Sequence, residues 1–185
     1  MRPTIVEPAD LSTAALVELK NWLGISRPAE DDLLLNLLRA SLATCESFTG
    51  QAPLTQMVEE LVSPRAGVTE LTARPVSSFV SAEVVVPGAN RTALDASDFA
   101  FEIAPPGNAC FDLFATLDAQ AIAVRSRVGI AGSWDAVPAG LKQGMIRLAA
   151  FHYRDRDRPG VGKPEPSPPA SVTALWRPWR TLRLA

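Results

Sequence analysis

The 185-residue sequence predicts an α+β protein, a helical bundle with an inserted small antiparallel β region and an extended C-terminal arm. Three observations predict it. Residues 10–50 repeat apolar side chains at helical spacing. Residues 56–130 alternate short Val-, Thr- and Phe-rich runs with turn signals. Residues 155–171 are rich in proline and nearly empty of apolar side chains, the composition of a stiff, extended spacer. The expected organisation is therefore a domain over 1–154, a linker over 155–171 and an arm over 172–185.

The first helix is predicted over 10–24. Leu11, Ala14, Ala15, Leu19, Trp22 and Leu23 recur on one face, Asp10 or Ser12 can cap the start, and Gly24 can end it. The second is predicted over 28–49. Pro28 suits a first turn, where its missing N–H is not needed, and Glu30, Asp31 and Asp32 put negative charge at the positive end of the helix dipole. Leu34, Leu37, Leu38, Ser41, Leu42, Cys45 and Phe48 form its main face, and Gly50 closes it. Leu33 and Leu35 lie off that face. A helix apolar beyond one stripe meets something besides its own core, so both residues are interface candidates.

Strands are predicted at Met57–Val62, Val68–Ala73, Phe79–Val86, Phe99–Ile103, Cys110–Phe114 and Ala121–Val128. Pro87-Gly88 and Pro105-Pro106-Gly107-Asn108 are turn signals between them. In the last run Ile122, Val124, Ser126 and Val128 should face one way, and Arg125 and Arg127 the other. A third helix is predicted over 138–153, opened by Pro138, with Leu141, Met145, Leu148, Ala149 and Phe151 or His152 on its apolar face. Gly140 and Gly144 stand four apart on it, a spacing that admits close approach of another helix.

The chain ends VTALWRPWRTLRLA, with two tryptophans, three arginines and no acid. Val172, Leu175, Trp176, Trp179 and Leu182 fall at helical spacing, but Pro178 removes a backbone donor, so one helical turn followed by an extended run is expected. Trp and Arg dominate binding energies at many interfaces. The segment thus either folds back to cap its own domain or docks elsewhere.

Enzymatic chemistry finds little support. The single His152 reads as a core-edge histidine, since a catalytic or metal role needs partners the sequence does not place nearby. Asp31 and Asp32 are explained by the helix dipole, and the alternating Arg154–Arg158 run by a solvated helix end. Gly160-Val161-Gly162-Lys163 lacks the Ser/Thr and glycine spacing of a phosphate loop. Cys45 and Cys110 read as separate thiols. No cofactor or metal motif is present. Net charge is −2, which gives no electrostatic reason to expect nucleic-acid binding. No apolar run is long enough for a bilayer, and MRPTIVEPAD lacks the apolar stretch of a signal peptide, so the cytoplasm is the expected place of synthesis and assembly.

Several of these motifs occur together in one family. ELKNWLGI, then DDLLLNLLRASLATCESFTG, then Val137-Pro138 through Tyr153-Arg154, and finally Ala174-Leu175-Trp176-Arg177-Pro178-Trp179-Arg180-Thr181-Leu182-Arg183-Leu184 stand in order. In this the chain resembles the head–tail connector (adaptor) proteins of long-tailed phages and of phage-derived gene transfer agents. The resemblance covers nearly the whole chain and is loosest over the β insert. Two departures mark the end: Trp176 stands where the family has an aliphatic residue, and Trp179 where it has tyrosine.

The resemblance implies a structural protein, not an enzyme, that needs no cofactor. It implies a homo-oligomeric ring, commonly of twelve subunits, in the neck of a virion or phage-like particle. The ring would sit beneath the portal, extend the DNA channel without sequence-specific binding, and meet a stopper or tail terminator on the tail side. It further implies that Leu175, Trp176, Pro178, Trp179, Arg180, Leu182 and Arg183 dock on the portal or a neighbouring subunit. Two rivals stand beside it. One is a monomeric module that offers the Trp/Arg tail as a linear motif. The other is an enzyme built around His152, which would need a deep polar pocket.

Overall fold

The computed structural model describes residues 3–156 and 168–180. The architecture is mixed α+β, with helices in one compact unit and antiparallel sheets in another. Of the described residues, one unit takes 3–9 and 55–129, and the other takes 10–54, 130–156 and 168–180.

The helical unit holds α1 (Thr13–Leu23), α2 (Asp31–Thr49), α3 (Ala139–Asp155) and α4 (Ala170–Trp176). Single 3₁₀ turns occupy Pro28–Glu30, Trp134–Ala136 and Arg177–Trp179. Gly24 (φ 72°) and Gly50 (φ 71°) end α1 and α2 in the left-handed conformation that glycine adopts without a Cβ penalty. Ser12 sits at the N-cap of α1, yet its hydroxyl makes no capping bond. Pro28 opens a 3₁₀ turn, so α2 begins three residues later than predicted.

The interior comes from Ala15, Leu16 and Leu19 of α1, Leu34, Leu38, Leu42 and Cys45 of α2, and Leu141, Met145, Leu148 and Ala149 of α3. Trp134 is sealed in this interior, with its indole N–H donating to Glu18 Oε2 at 2.8 Å. The predicted face of α1 is corrected in one respect. Leu16 is inside, whereas Trp22, in the last turn of α1 just before Gly24, is 44% exposed. Burial pushes the Cys45 thiol up to about 12, so it is protonated and inert at ordinary pH.

The β unit contains β1 (Thr4–Glu7), β2 (Gln56–Val62), β3 (Gly67–Glu70), β4 (Val76–Val85), β5 (Thr92–Ala93), β6 (Phe99–Ala104), β7 (Asn108–Leu113) and β8 (Ala121–Val128). One sheet runs β1-β2-β8-β4-β5 and the other β3-β7-β6, with every pairing antiparallel. Strands β1 and β5 lie outside the predicted set. The predicted alternation of β8 is observed: Ile122, Val124, Ser126 and Val128 are buried, Arg125 is half-buried and Arg127 is exposed. The sheets meet through Phe79 against Phe99 and Phe101, with ring centroids 5.4 and 4.9 Å apart.

Two polar devices organise this unit. The buried carboxylate of Glu60 on β2 accepts from the Thr72 and Ala73 amides at 2.9 and 3.0 Å and from the Thr72 hydroxyl, which fixes the turn between β3 and β4. On the opposite face of the sheet, Glu59 accepts from Arg91 at 2.6 Å and from Arg125 at 2.9 Å. The Arg91 hydrogen bond first, and then that from Arg125, holds the Glu59 carboxyl below the usual range against the opposing effect of burial.

Candidate interface at the C-terminal helix

Pro169 sits at the N-cap of α4, where a missing N–H costs nothing. The helix packs on α3 and buries Val172 and Trp176 completely. Two glycines make this packing feasible. A Cβ on Gly144 would stand 2.1 Å from Trp176 Nε1, and one on Gly140 would stand 3.3 Å from Leu175 O. The indole N–H donates to Leu141 O at 3.3 Å, and the ring tilts against Phe48 of α2 with centroids 5.9 Å apart.

Past Trp176 the chain continues into the 3₁₀ turn Arg177–Trp179. Pro178 stands in the first turn of the 3₁₀ segment and does not start an extended run. Gln51 Nε2 donates to Trp179 O at 2.6 Å, and the Arg180 guanidinium lies 5.6 Å from the Phe48 ring. The backbone reaches extended dihedrals only at Arg180.

The structure thus divides the predicted interface residues. Trp176 is wholly inside its own unit. Leu175 and Trp179 are half-buried, and Pro178 and Arg180 are exposed. Leu182 and Arg183 lie outside the described residues, as do the linker positions 157–167, including Gly160 to Lys163. Residues 170–180 are therefore part of the helical unit, and among them Ser171, Ala174, Arg177, Pro178 and Arg180 are exposed. Leu33 is 37% exposed and Leu35 is half-buried on α2.

The other end of α3 is tied to the start of α2. Glu30 accepts from the Tyr153 hydroxyl at 2.6 Å and from Arg156 at 2.8 Å. The Tyr153 bond, then Arg156, lowers the Glu30 carboxyl from its ordinary 4.5. His152 is half-buried beside the Phe151 ring. Among the described residues no group of three His, Cys, Asp or Glu is placed to hold a metal ion, and no helix is long and apolar enough to cross a membrane. Sequence reasoning left the destination of Trp176 open. The signal that locates it is the Gly140/Gly144 pair, which forms the other half of the same contact.

No protein-family model matches the chain, and no curated protein does. Solved structures match it from end to end. A chain in the neck of an empty gene transfer agent particle, reconstructed with C6 symmetry, superposes with a TM-score of 0.75 at 23% identity. A chain in the neck of a native particle, reconstructed with C12 symmetry, gives 0.76 at 22%. A chain in the virion of a native gene transfer agent gives 0.75 at 22%. Each comparison covers 100% of this chain and 98% of the other. The chain thus shares its α+β fold with these chains.

Proposed function

We propose that this chain is a structural subunit of the neck of a phage or gene transfer agent particle. Copies of it form a ring beneath the portal that extends the DNA channel and gives the tail a place to attach. The observation that carries this reading is the end-to-end likeness to chains of particle necks, which leaves no part of the fold unmatched. The ordered motifs of the sequence support it independently.

In this reading the C-terminal segment docks on the portal or a neighbour through the exposed Pro178 and Arg180 and the half-buried Leu175 and Trp179, together with Leu182 and Arg183. Trp176 serves from inside, by fixing where that segment leaves the unit. Gln51 holds the Trp179 carbonyl through a part-buried hydrogen bond and Arg180 lies near the Phe48 ring, contacts that a docked partner would add to or replace. Anchoring many copies around a ring multiplies a modest affinity per copy. The complete burial of Trp176 weighs against a monomeric module that offers a free Trp/Arg motif.

The test is docking on the cognate portal, imaged by electron microscopy. Removal of 170–185 would strip Trp176 from the interior, so the informative truncation falls after Arg180, beside an Arg177→Glu/Arg180→Glu variant. Both should keep the fold and lose portal docking. Undiminished docking by both would refute the role given to this segment.

A further inference from the structure

A cyclic ring of more than two copies needs two different patches on each subunit, one for each neighbour. The chain carries two patches of opposite chemistry. The first is the outer face of the β3-β7-β6 sheet. Its register puts Val68, Glu102 and Asp112 on one side, because Phe111 and Leu113 point into the interior. Phe114, just past β7, is 57% exposed and Val68 is 67% exposed. The Phe114 amide donates to Asp98 O at 2.9 Å, which sets Asp98 beside it. None of Asp98, Glu102 and Asp112 has a cation within ion-pair distance among the described residues.

The second patch lies in the helical unit. A groove of about 400 Å³ opens between α1, α3 and the start of α4. Ala150 and Val172 form its buried floor, and Trp22 stands exposed on the rim. Arg147 lies 5.8 Å from the Trp22 ring, and Arg154 adds a second cation against a single acid, Asp155. An apolar floor rimmed by an exposed tryptophan and arginines is suited to an aromatic side chain flanked by carboxylates.

We propose that the occupant is a second copy of this chain. The acidic outer sheet face of one subunit seats on the Trp22 groove of the next, with Phe114 entering it and Glu102 and Asp112 facing Arg147 and Arg154. This inference rests on the ring reading above. It adds the pair of surfaces that closes the ring.

The test is a charge exchange between two variants, Arg147→Glu/Arg154→Glu and Glu102→Arg/Asp112→Arg, with ring formation on the cognate portal counted by electron microscopy. All four positions lie at the surface or half-exposed, and circular dichroism checks that both variants fold. Each variant alone sets like charges face to face and should lower ring yield by at least about tenfold. Mixed in equal amounts, the two restore opposite charges at every junction and should assemble with alternating subunits. A mixture that stays unassembled, or single variants that form normal rings, overturns this docking while the wild-type ring stands. A wild-type chain that forms no ring removes the ring reading and this inference together.

Discussion

Gly144→Ala is the most informative single substitution in the helical unit, because two effects oppose each other there. Helix propensity alone favours alanine over glycine by about 1 kcal/mol. The added Cβ, however, would lie 2.1 Å from Trp176 Nε1, 2.7 Å from Cε2 and 2.8 Å from Cδ1. Ordinary contact needs about 3.5 Å, so the indole must withdraw by about 1.4 Å. Overpacking of this kind costs about 2 kcal/mol. Withdrawal also breaks the bond to Leu141 O and leaves a buried donor unpaired, for about 2 kcal/mol more. The net expectation is a loss of about 3 kcal/mol, or roughly 6–12 °C in melting temperature for a chain of this size. Gly140→Ala is the control. Its nearest neighbours would be Leu175 O at 3.3 Å and Trp179 Nε1 at 3.6 Å, so propensity and mild crowding nearly cancel. Urea unfolding followed by tryptophan fluorescence, with hydrogen exchange of the α4 amides, reads both. If Gly144→Ala proved as stable as wild type, α4 would not be held on α3 by this contact, and the account of the C-terminal helix would be wrong.

Other substitutions follow from the same geometry. Trp176→Ala should cost about 3–5 kcal/mol in urea unfolding, the range for deletion of a fully buried large aromatic. Glu60→Ala should cost at least about 2 kcal/mol, because it leaves the Thr72 and Ala73 amides without their acceptor in a buried turn. Ser126→Ala should be neutral or stabilising by up to about 1 kcal/mol, since the buried hydroxyl has no partner among the described residues. The Glu30 and Glu59 carboxyls are depressed in the folded state, so the stability they add is present above the ordinary 4.5 and is lost as pH falls below it. Glu30→Gln and Glu59→Gln should therefore each narrow the gap between urea midpoints at neutral pH and at pH 3, and an unchanged gap would contradict the hydrogen bonds assigned to them.

The helices were legible because their signals are local. Gly24 and Gly50 end α1 and α2 in the conformation only glycine takes freely, and the Leu34–Cys45 stripe is the face that is buried. The face of β8 could be read from alternation, since one side of that strand is sealed. Strand β1 could not be read so. Four residues between Pro3 and Pro8, all exposed, show no burial pattern, and only the partner strand β2 defines them. Trp22 was misplaced for a related reason: an aromatic at the edge of a helical stripe looks apolar in sequence whether it is inside or on the rim. The tail divides along the same line. Its helical spacing was legible, but whether Trp176 turned home or outward depended on Gly144, some thirty residues earlier in the chain. The paired interface surfaces were hidden altogether, since the acids of one sheet face come from strands β6 and β7, and the cations opposite them from α3.

The central claim is that copies of this chain assemble as a ring on a portal. Mixing the purified wild-type chain with its cognate portal and imaging the product by cryo-electron microscopy tests it most directly. The account predicts a closed ring of copies coaxial with the portal channel, with the C-terminal segment of each copy in contact with the portal or with its neighbour. Portals left bare, or decorated by scattered single copies that never close into a ring, would contradict it.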